Sequence, residues 1–120
     1  MLPGRYRLKN NRSFNYIYRK GKSIGGRYSV LLYTEAKGSL MVGFSVSKKI
    51  GCSVTRNLAK RRLREAVRSF LPEIKSGYHL IFVARSSITI ASFHEIKNNL
   101  YTLAQKAGLL AEGKNEKALH

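Results

Sequence analysis

Residues 56–68 of this chain read RNLAKRRLREAVR. Arg56, Lys60, Arg61, Arg62, Arg64 and Arg68 crowd this stretch against a single acid, Glu65. Glycine and proline are absent, so the segment reads as a helix over 56–70. At about 100° per residue, Ala59, Leu63, Ala66, Val67 and Phe70 share one face, which is the core stripe. Lys60, Arg64, Asn57, Arg68 and Arg61 fall on an adjoining arc roughly 100° wide. Arg62 falls elsewhere, near Glu65, as an ordinary solvated residue. The chemistry on offer is anion binding. Most helix charges form a solvated face laced with ion pairs, but this arc has almost no acids to pair with. On this reading Arg56 and Lys60 lie in or near the first turn, where the helix dipole disfavours cations. An anion at the helix start would reverse that sign, and a phosphate backbone supplies anions in a row. Asn57 adds a donor and an acceptor suited to a 2′-hydroxyl or a base edge.

The rest of the chain supports a polyanionic partner. Across 120 residues, 23 Lys+Arg face 6 Asp+Glu, a formal charge of +17. Packing such a chain is opposed by its own repulsion, and nucleic acid is the simplest relief. An anionic membrane is the competing partner, but no strongly amphipathic basic helix with Trp or Phe anchors is present. No apolar run is long enough to span a bilayer, and the first ten residues, MLPGRYRLKN, do not form a secretion signal. Cys52 is the single cysteine, so no intrachain disulfide forms. These features place the protein in the cytoplasm.

Groups that could catalyse are sparse. All the acids are glutamates, spread from Glu35 to Glu116, which makes a two-metal carboxylate cluster improbable. His79, His94 and His120 read as isolated structural or surface residues. Cys52 has no Cys or His at zinc-ligand spacing. The GKS at residues 21–23 suggests a phosphate loop, but Tyr16 stands where that motif requires glycine. The chemistry therefore points to positioning RNA and its charges, with no catalytic residue in the protein.

These residues need elements to hold them. NNRSFNYIYRKG (10–21) offers Asn caps, helical spacing of Phe14, Ile17 and Tyr18, and Gly21 as a stop. The spacing alone fits a core stripe better than a nucleotide platform; Arg19, Lys20 and Lys22 beside Tyr18 argue for stacking of exposed bases. RYSVLLYT (27–34) and LMVGFSVS (40–47) are strand-like, with EAKGS between them as a hairpin loop. KKIGCSV is a basic loop leading into the Arg-rich helix. YHLIFVAR (78–85) has the continuous apolar pattern of a buried strand. Ser92 and Glu95 form a capping box for a last helix, with Ile96, Leu100, Leu103, Ala104 and Ala107 on one face and Gly108 as its C-cap. Residues 1–110 thus form one RNA-binding domain, and 111–120, AEGKNEKALH, a disordered tail. The pattern order is α-β-β-α-β-α, an α+β sheet covered by helices.

RNLAKRRLRE resembles the RNxxKRxxR motif, closed by Glu or Gln, of the protein component of bacterial ribonuclease P. The resemblance extends to RLKNNRSFNYIYRKGKS, to GFSVSKKIG and to FVAR, and so spans nearly all of residues 5–107. It implies an α-β-β-β-α-β-α sandwich, with a four-stranded mixed sheet and a left-handed β-α-β crossover. It also implies a protein subunit of a ribonucleoprotein whose large RNA is the catalyst and which removes the 5′ leader of precursor tRNA. Carried over by position, Arg56, Asn57, Lys60, Arg61, Arg64 and Arg68, with Lys48 and Lys49 before them, would meet the catalytic RNA. Phe14, Tyr18, Tyr28 and Arg85 would meet the precursor leader. The resemblance implies one protein per RNA, no metal held by the protein alone, and Mg2+ held with the catalytic RNA. One departure stands out: family members often carry aromatics along the first strand, where this chain has Ser29 and Leu32. Two other functions compete. A ribosomal or double-stranded-RNA-binding module would share the basic helix and mixed sheet; a self-sufficient nuclease would require the missing carboxylates.

Overall fold

A computed structural model describes residues 11–36, 38 and 40–110. The N-terminal Asn10 cap and the 111–120 tail lie outside the described residues. The elements run α1 (Asn11–Lys20), β1 (Lys22–Gly25), β2 (Ser29–Glu35), β3 (Met41–Ser45), α2 (Ser53–Arg68), β4 (Tyr78–Ala84) and α3 (Phe93–Lys106). Short 3-10 turns at Lys48–Ile50, Leu71–Glu73 and Ser86–Ile90 join them. The fold is α+β, with one mixed four-stranded sheet in the order β1-β2-β4-β3.

β4 is central because its apolar run can be buried on both faces. It pairs antiparallel with β2, where Leu31 faces Phe82, and parallel with β3, where Phe44 faces Phe82. The parallel pair β3–β4 is bridged by α2, as a parallel connection requires. Residues 27–34 and 40–47 therefore do not form the hairpin that EAKGS suggests: β4 is inserted between them. The sheet's hairpin is β1–β2, and β1 is the strand that pattern reading missed. Its sequence, KSIG, is four residues long and mostly exposed, so it carries no apolar alternation to detect. It exists because β2 offers an edge, with Lys22 opposite Tyr33 and Gly25 opposite Val30.

Alternation along the strands sends side chains to two faces. Leu31, Val42, Leu80 and Phe82 point to one face and are sealed by Ala59, Leu63, Ala66 and Val67 of α2 and by Ile96, Leu100, Leu103 and Ala104 of α3. Leu32, Met41, Ile81 and Val83 point to the other, where, among the described residues, Ile17 and Phe14 of α1 pack against them. The α3 capping box forms as its sequence promises. Ser92 Oγ accepts from the Glu95 backbone N–H at 3.1 Å, and Glu95 Oε1 accepts from the Ser92 N–H at 2.9 Å. Gly108, at φ +75°, closes the far end in a conformation glycine adopts without strain.

Candidate nucleic-acid interface

The basic helix begins earlier than its charges suggest. Cys52 is the N-cap of α2 and makes no side-chain cap bond. The backbone N–H of Arg56 already donates to the Cys52 carbonyl at 2.9 Å. Arg56 and Lys60 thus lie beyond the first turn, where the dipole effect has largely faded. This corrects the reading that put them against the positive helix end; without a capping side chain, nothing in the sequence marked the start. Arg56 still reaches back, since its Nη2 donates to Ser53 Oγ at 3.2 Å. Its position lies close to the core stripe on the helix wheel, which explains its half-buried state and a buried Nε with no hydrogen-bond partner.

Further along α2, Asn57, Arg61 and Arg68 are exposed, and Lys60 and Arg64 are half-buried. All five flank the buried stripe of Ala59, Leu63, Ala66 and Val67, so the structure brings the arc together. Lys48 and Lys49, both exposed on the 3-10 turn before the helix, extend it. Arg68 differs from the others, because its Nη1 lies 3.7 Å from Glu65 Oε2 one turn back. Arg62 is not merely solvated: its Nη1 makes a long, 3.5 Å contact with the Ala91 carbonyl, tying α2 to the entry of α3.

The second surface lies across the sheet. Gly21 ends α1 directly against β2; a Cβ there would sit 2.6 Å from the Ile17 carbonyl and 2.9 Å from that of Tyr33. With α1 so placed, Ile17 is buried on the sheet, Phe14 is half-buried and Tyr18 is 48% exposed. Phe14 reaches so close to β3 that a Cβ on Gly43 would meet its Cζ at 2.6 Å. Gly43 leaves the room that Phe14 occupies, a role the sequence reading passed over, and a glycine inside a strand is its signal. Arg85 follows β4 and is exposed, and a Cβ on Gly25 would come within 3.0 Å of its Nη2. Gly25 is opposite Val30, on the α1 face, so the Arg85 guanidinium shares that face with Phe14 and Tyr18.

Tyr28 does not share it. It is 6% exposed and belongs to the α2–α3 core. Its hydroxyl donates to Glu95 Oε2 at 2.9 Å, and its backbone N–H donates to Asn99 Oδ1 at 3.3 Å. The Glu95 hydrogen bond, then burial, raises the Tyr28 phenol above its ordinary value. The Ser92 backbone N–H, then the Tyr28 hydroxyl, holds Glu95 below the usual carboxylate range. Assigning Tyr28 to the leader surface is thereby corrected. A turn closed by Gly26 N–H to the Ser29 carbonyl at 2.8 Å breaks the alternation just before β2, and Tyr28 and Ser29 both turn toward α3.

Among the described residues, no three His, Cys, Asp or Glu side chains gather as a metal site would require. The arrangement offers two RNA-suited surfaces on opposite faces of one sheet: a cationic helix arc, and an aromatic-and-arginine face left open beside α1.

A family model described as Ribonuclease P matches residues 2–108. The chain is 44% identical over 106 residues to a Thermoanaerobacter ribonuclease P protein component, covering 88% of this chain and 91% of that one. Its structure is similar to that of the Staphylococcus aureus RNase P protein, with a TM-score of 0.80 and 33% identity over 88% of this chain and 97% of that chain. It is also similar to the Thermotoga maritima RNase P protein, with a TM-score of 0.77 and 27% identity over 83% and 96% of the two chains.

Proposed function

The chain belongs to the ribonuclease P protein family, and from that premise we propose a division of labour between its two surfaces. It is a protein subunit of ribonuclease P, acting in tRNA 5′ processing, and its partner is the ribonuclease P RNA. In the proposed division, the α2 arc of Arg56, Asn57, Lys60, Arg61, Arg64 and Arg68, with Lys48 and Lys49, binds the catalytic RNA. The α1 face of Phe14, Tyr18 and Arg85 binds the 5′ leader of precursor tRNA. Cleavage is then endonucleolytic and RNA-catalysed, with Mg2+ held by the RNA, and one protein serves each RNA. No helix among the described residues is long and apolar enough to cross a membrane, and the reading locates the particle in the cytoplasm.

The observation that carries this reading is the placement of the two surfaces on opposite sides of the sheet. A protein so built can hold a folded RNA with one side while an unpaired strand crosses the other. Phosphates along the folded RNA match the cationic arc, because releasing counterions from each contact favours binding. Unpaired bases match the aromatic side, because stacking on Phe14 and Tyr18 requires bases free of a duplex.

The test is reconstitution with the ribonuclease P RNA at low magnesium. Substitutions in the arc should weaken assembly with that RNA. Substitutions on the α1 face should leave assembly intact and reduce the preference for precursor over mature tRNA. If both sets act on assembly alone, the division is wrong.

A further inference from the structure

Four of the six large hydrophobic side chains exposed among the described residues gather at one junction. Val54 and Leu58 of α2 are 77% and 41% exposed. Ile90, at the end of the Ser86–Ile90 turn, and Phe93, the first residue of α3, are 84% and 41% exposed. Single exposed apolar residues are ordinary on a protein surface, but a group of them marks a contact. Val54, Leu58 and Arg62 are spaced four residues apart, so they share one flank of α2. That flank faces the start of α3, because Arg62 Nη1 reaches the Ala91 carbonyl at 3.5 Å, and Ala91 stands between Ile90 and Phe93 in the chain. Phe93, Lys97 and Tyr101 are spaced four apart on α3 in the same way. Their flank faces α2, because the Tyr101 ring meets Phe70 edge-on, with 5.4 Å between centroids. Leu58 and Phe93 thus stand on facing flanks of two packed elements, each still partly open to solvent. The rim is cationic, with Arg61 and Arg62 on α2 and Lys97 on α3. Arg61 lies only about 20° around the helix from Val54, so the apolar flank continues the cationic arc. The acid on this flank of α2, Glu65, has Arg68 beside it at 3.7 Å.

We propose that these facing flanks hold an unpaired base of the ribonuclease P RNA, stacked on the Phe93 ring and packed against Leu58. The proposal rests on the reading that the α2 arc meets that RNA, and adds a contact that charge alone cannot make. A paired RNA helix turns phosphates and 2′-hydroxyls outward and hides its base faces, so it offers nothing to Val54, Leu58 or Phe93. A base released from pairing offers an apolar ring face, and an aromatic side chain with guanidinium groups nearby is suited to support it. Arg61, on the arc side of the flank, is placed for the phosphates next to that base. A second copy of this chain is the competing occupant of an apolar flank. The rim argues against it. Two chains of formal charge +17 would have to bring Arg61, Arg62 and Lys97 of one copy toward those of the other, whereas RNA neutralises the same cations.

Filter binding of the full-length protein to the ribonuclease P RNA, across a salt series, tests the site. Phe93→Ala should weaken binding by about fivefold or more and leave the salt slope unchanged, because a stacked base releases no counterion. Phe93→Tyr keeps the ring and should bind as the wild type does. Leu58→Gln keeps helix propensity and should weaken binding with the slope again unchanged. On a fully paired RNA duplex, Phe93→Ala should match the wild type. Melting temperatures are measured alongside. If Phe93→Ala proves unstable, Leu58→Gln and Phe93→Tyr carry the test. Wild-type affinity of the variants that remove the apolar surface, or an equal loss on the duplex, would overturn the proposal. Sedimentation velocity of the free protein decides about the second copy: self-association that Phe93→Ala or Leu58→Gln abolishes, with RNA affinity intact, would assign the flank to a contact between copies and overturn the RNA site. The arc reading is judged separately by Arg64→Ala. A lowered slope there, with no effect of the flank variants, leaves the arc standing and removes this site.

Discussion

On the α2–α3 side of the sheet, Leu31, Leu80 and Phe82 are fully buried, and two helices close over them. On the α1 side, Ile17 and Ile81 reach that burial, while Leu32, Met41 and Val83 remain half-open. The difference follows from size. A helix with its side chains is about 10–12 Å across, and four strands spaced about 4.8 Å apart are wider than that. Two helices cover such a sheet; one cannot. The side with two helices holds the fold together, and the side with one keeps apolar surface available, rimmed by Tyr18 and Arg85. Exposed apolar surface with a polar rim is what an interaction site requires. The cations of α2 flank its buried stripe on the sealed side, with Arg61 and Arg68 exposed and Lys60 and Arg64 half-buried.

The largest expected effect breaks the comparison if it fails. Phe82 and Val83 are neighbours on β4 that face opposite sides. Phe82→Ala should cost about 3–5 kcal/mol of stability, since it empties a fully buried site. Val83→Ala, on the open side, should cost no more than about 1.5 kcal/mol. Urea unfolding of the two variants checks this. Equal losses would mean that the open face is as structural as the sealed one.

Next come the aromatics. Phe14→Ala and Tyr18→Ala should each weaken precursor tRNA binding by about 1–3 kcal/mol, the worth of a stacked base. Mature tRNA should be affected less. Tyr28→Phe is the contrast: it removes the hydroxyl bond to Glu95 on the sealed side, so it should lower the melting temperature and leave the precursor preference unchanged. A precursor effect from Tyr28→Phe would restore Tyr28 to the leader surface.

A smaller effect separates cations on the same helix. Arg64→Ala should lower the salt slope of log K for the ribonuclease P RNA by about one, as loss of one phosphate contact does. Arg62→Ala should leave the slope alone and slightly destabilise the junction between α2 and α3, where Arg62 touches the Ala91 carbonyl. Filter binding across a salt series measures the first and thermal unfolding the second. Identical slopes would dissolve the arc as a distinct surface.

What the sequence reveals depends on whether a signal is local. The α2 stripe was legible because Ala59, Leu63, Ala66 and Val67 repeat with the helix, and all are buried. The α3 cap was legible because Ser92 and Glu95 carry the hydrogen bonds themselves. The start of α2 was not, because Cys52 caps it with backbone alone. β1 was not, because four mostly exposed residues take their strand form from β2. Tyr28 was misplaced because a turn, invisible to alternation, rotates it toward Asn99 and Glu95. The insertion of β4 between β2 and β3 is a long-range choice that no local pattern encodes. The candidate site divides likewise. The cationic arc was read from spacing on one helix, whereas Arg85 and Phe14 meet on one face through pairings distant in sequence.

The smallest effect lies in acid, where the two sides should fail in different windows. On the α1 side, burial holds the His79 imidazole below its ordinary value of 6.5. The unfolded chain therefore takes up that proton before the folded one does, so stability falls as pH drops below about 6.5 and levels once pH passes the lowered folded value. On the sealed side, Glu95 is held below its ordinary value of 4.5, first by the Ser92 backbone N–H and then by the Tyr28 hydroxyl. Its contribution is fully present above 4.5 and is lost as pH falls through the lowered folded value. From its ordinary value of 6.5 down to its lowered folded value, His79 should contribute to the slope, and His79→Gln should flatten it. Glu95→Gln should leave that upper window unchanged and flatten the lower one. Proton NMR of the His79 ring reads the first titration directly, and melting temperatures over the pH series read both. If Glu95→Gln alters the upper window, or His79→Gln leaves it as steep as before, the two sides do not titrate independently, and the separation of a structural side from an open one does not extend to their acids and bases.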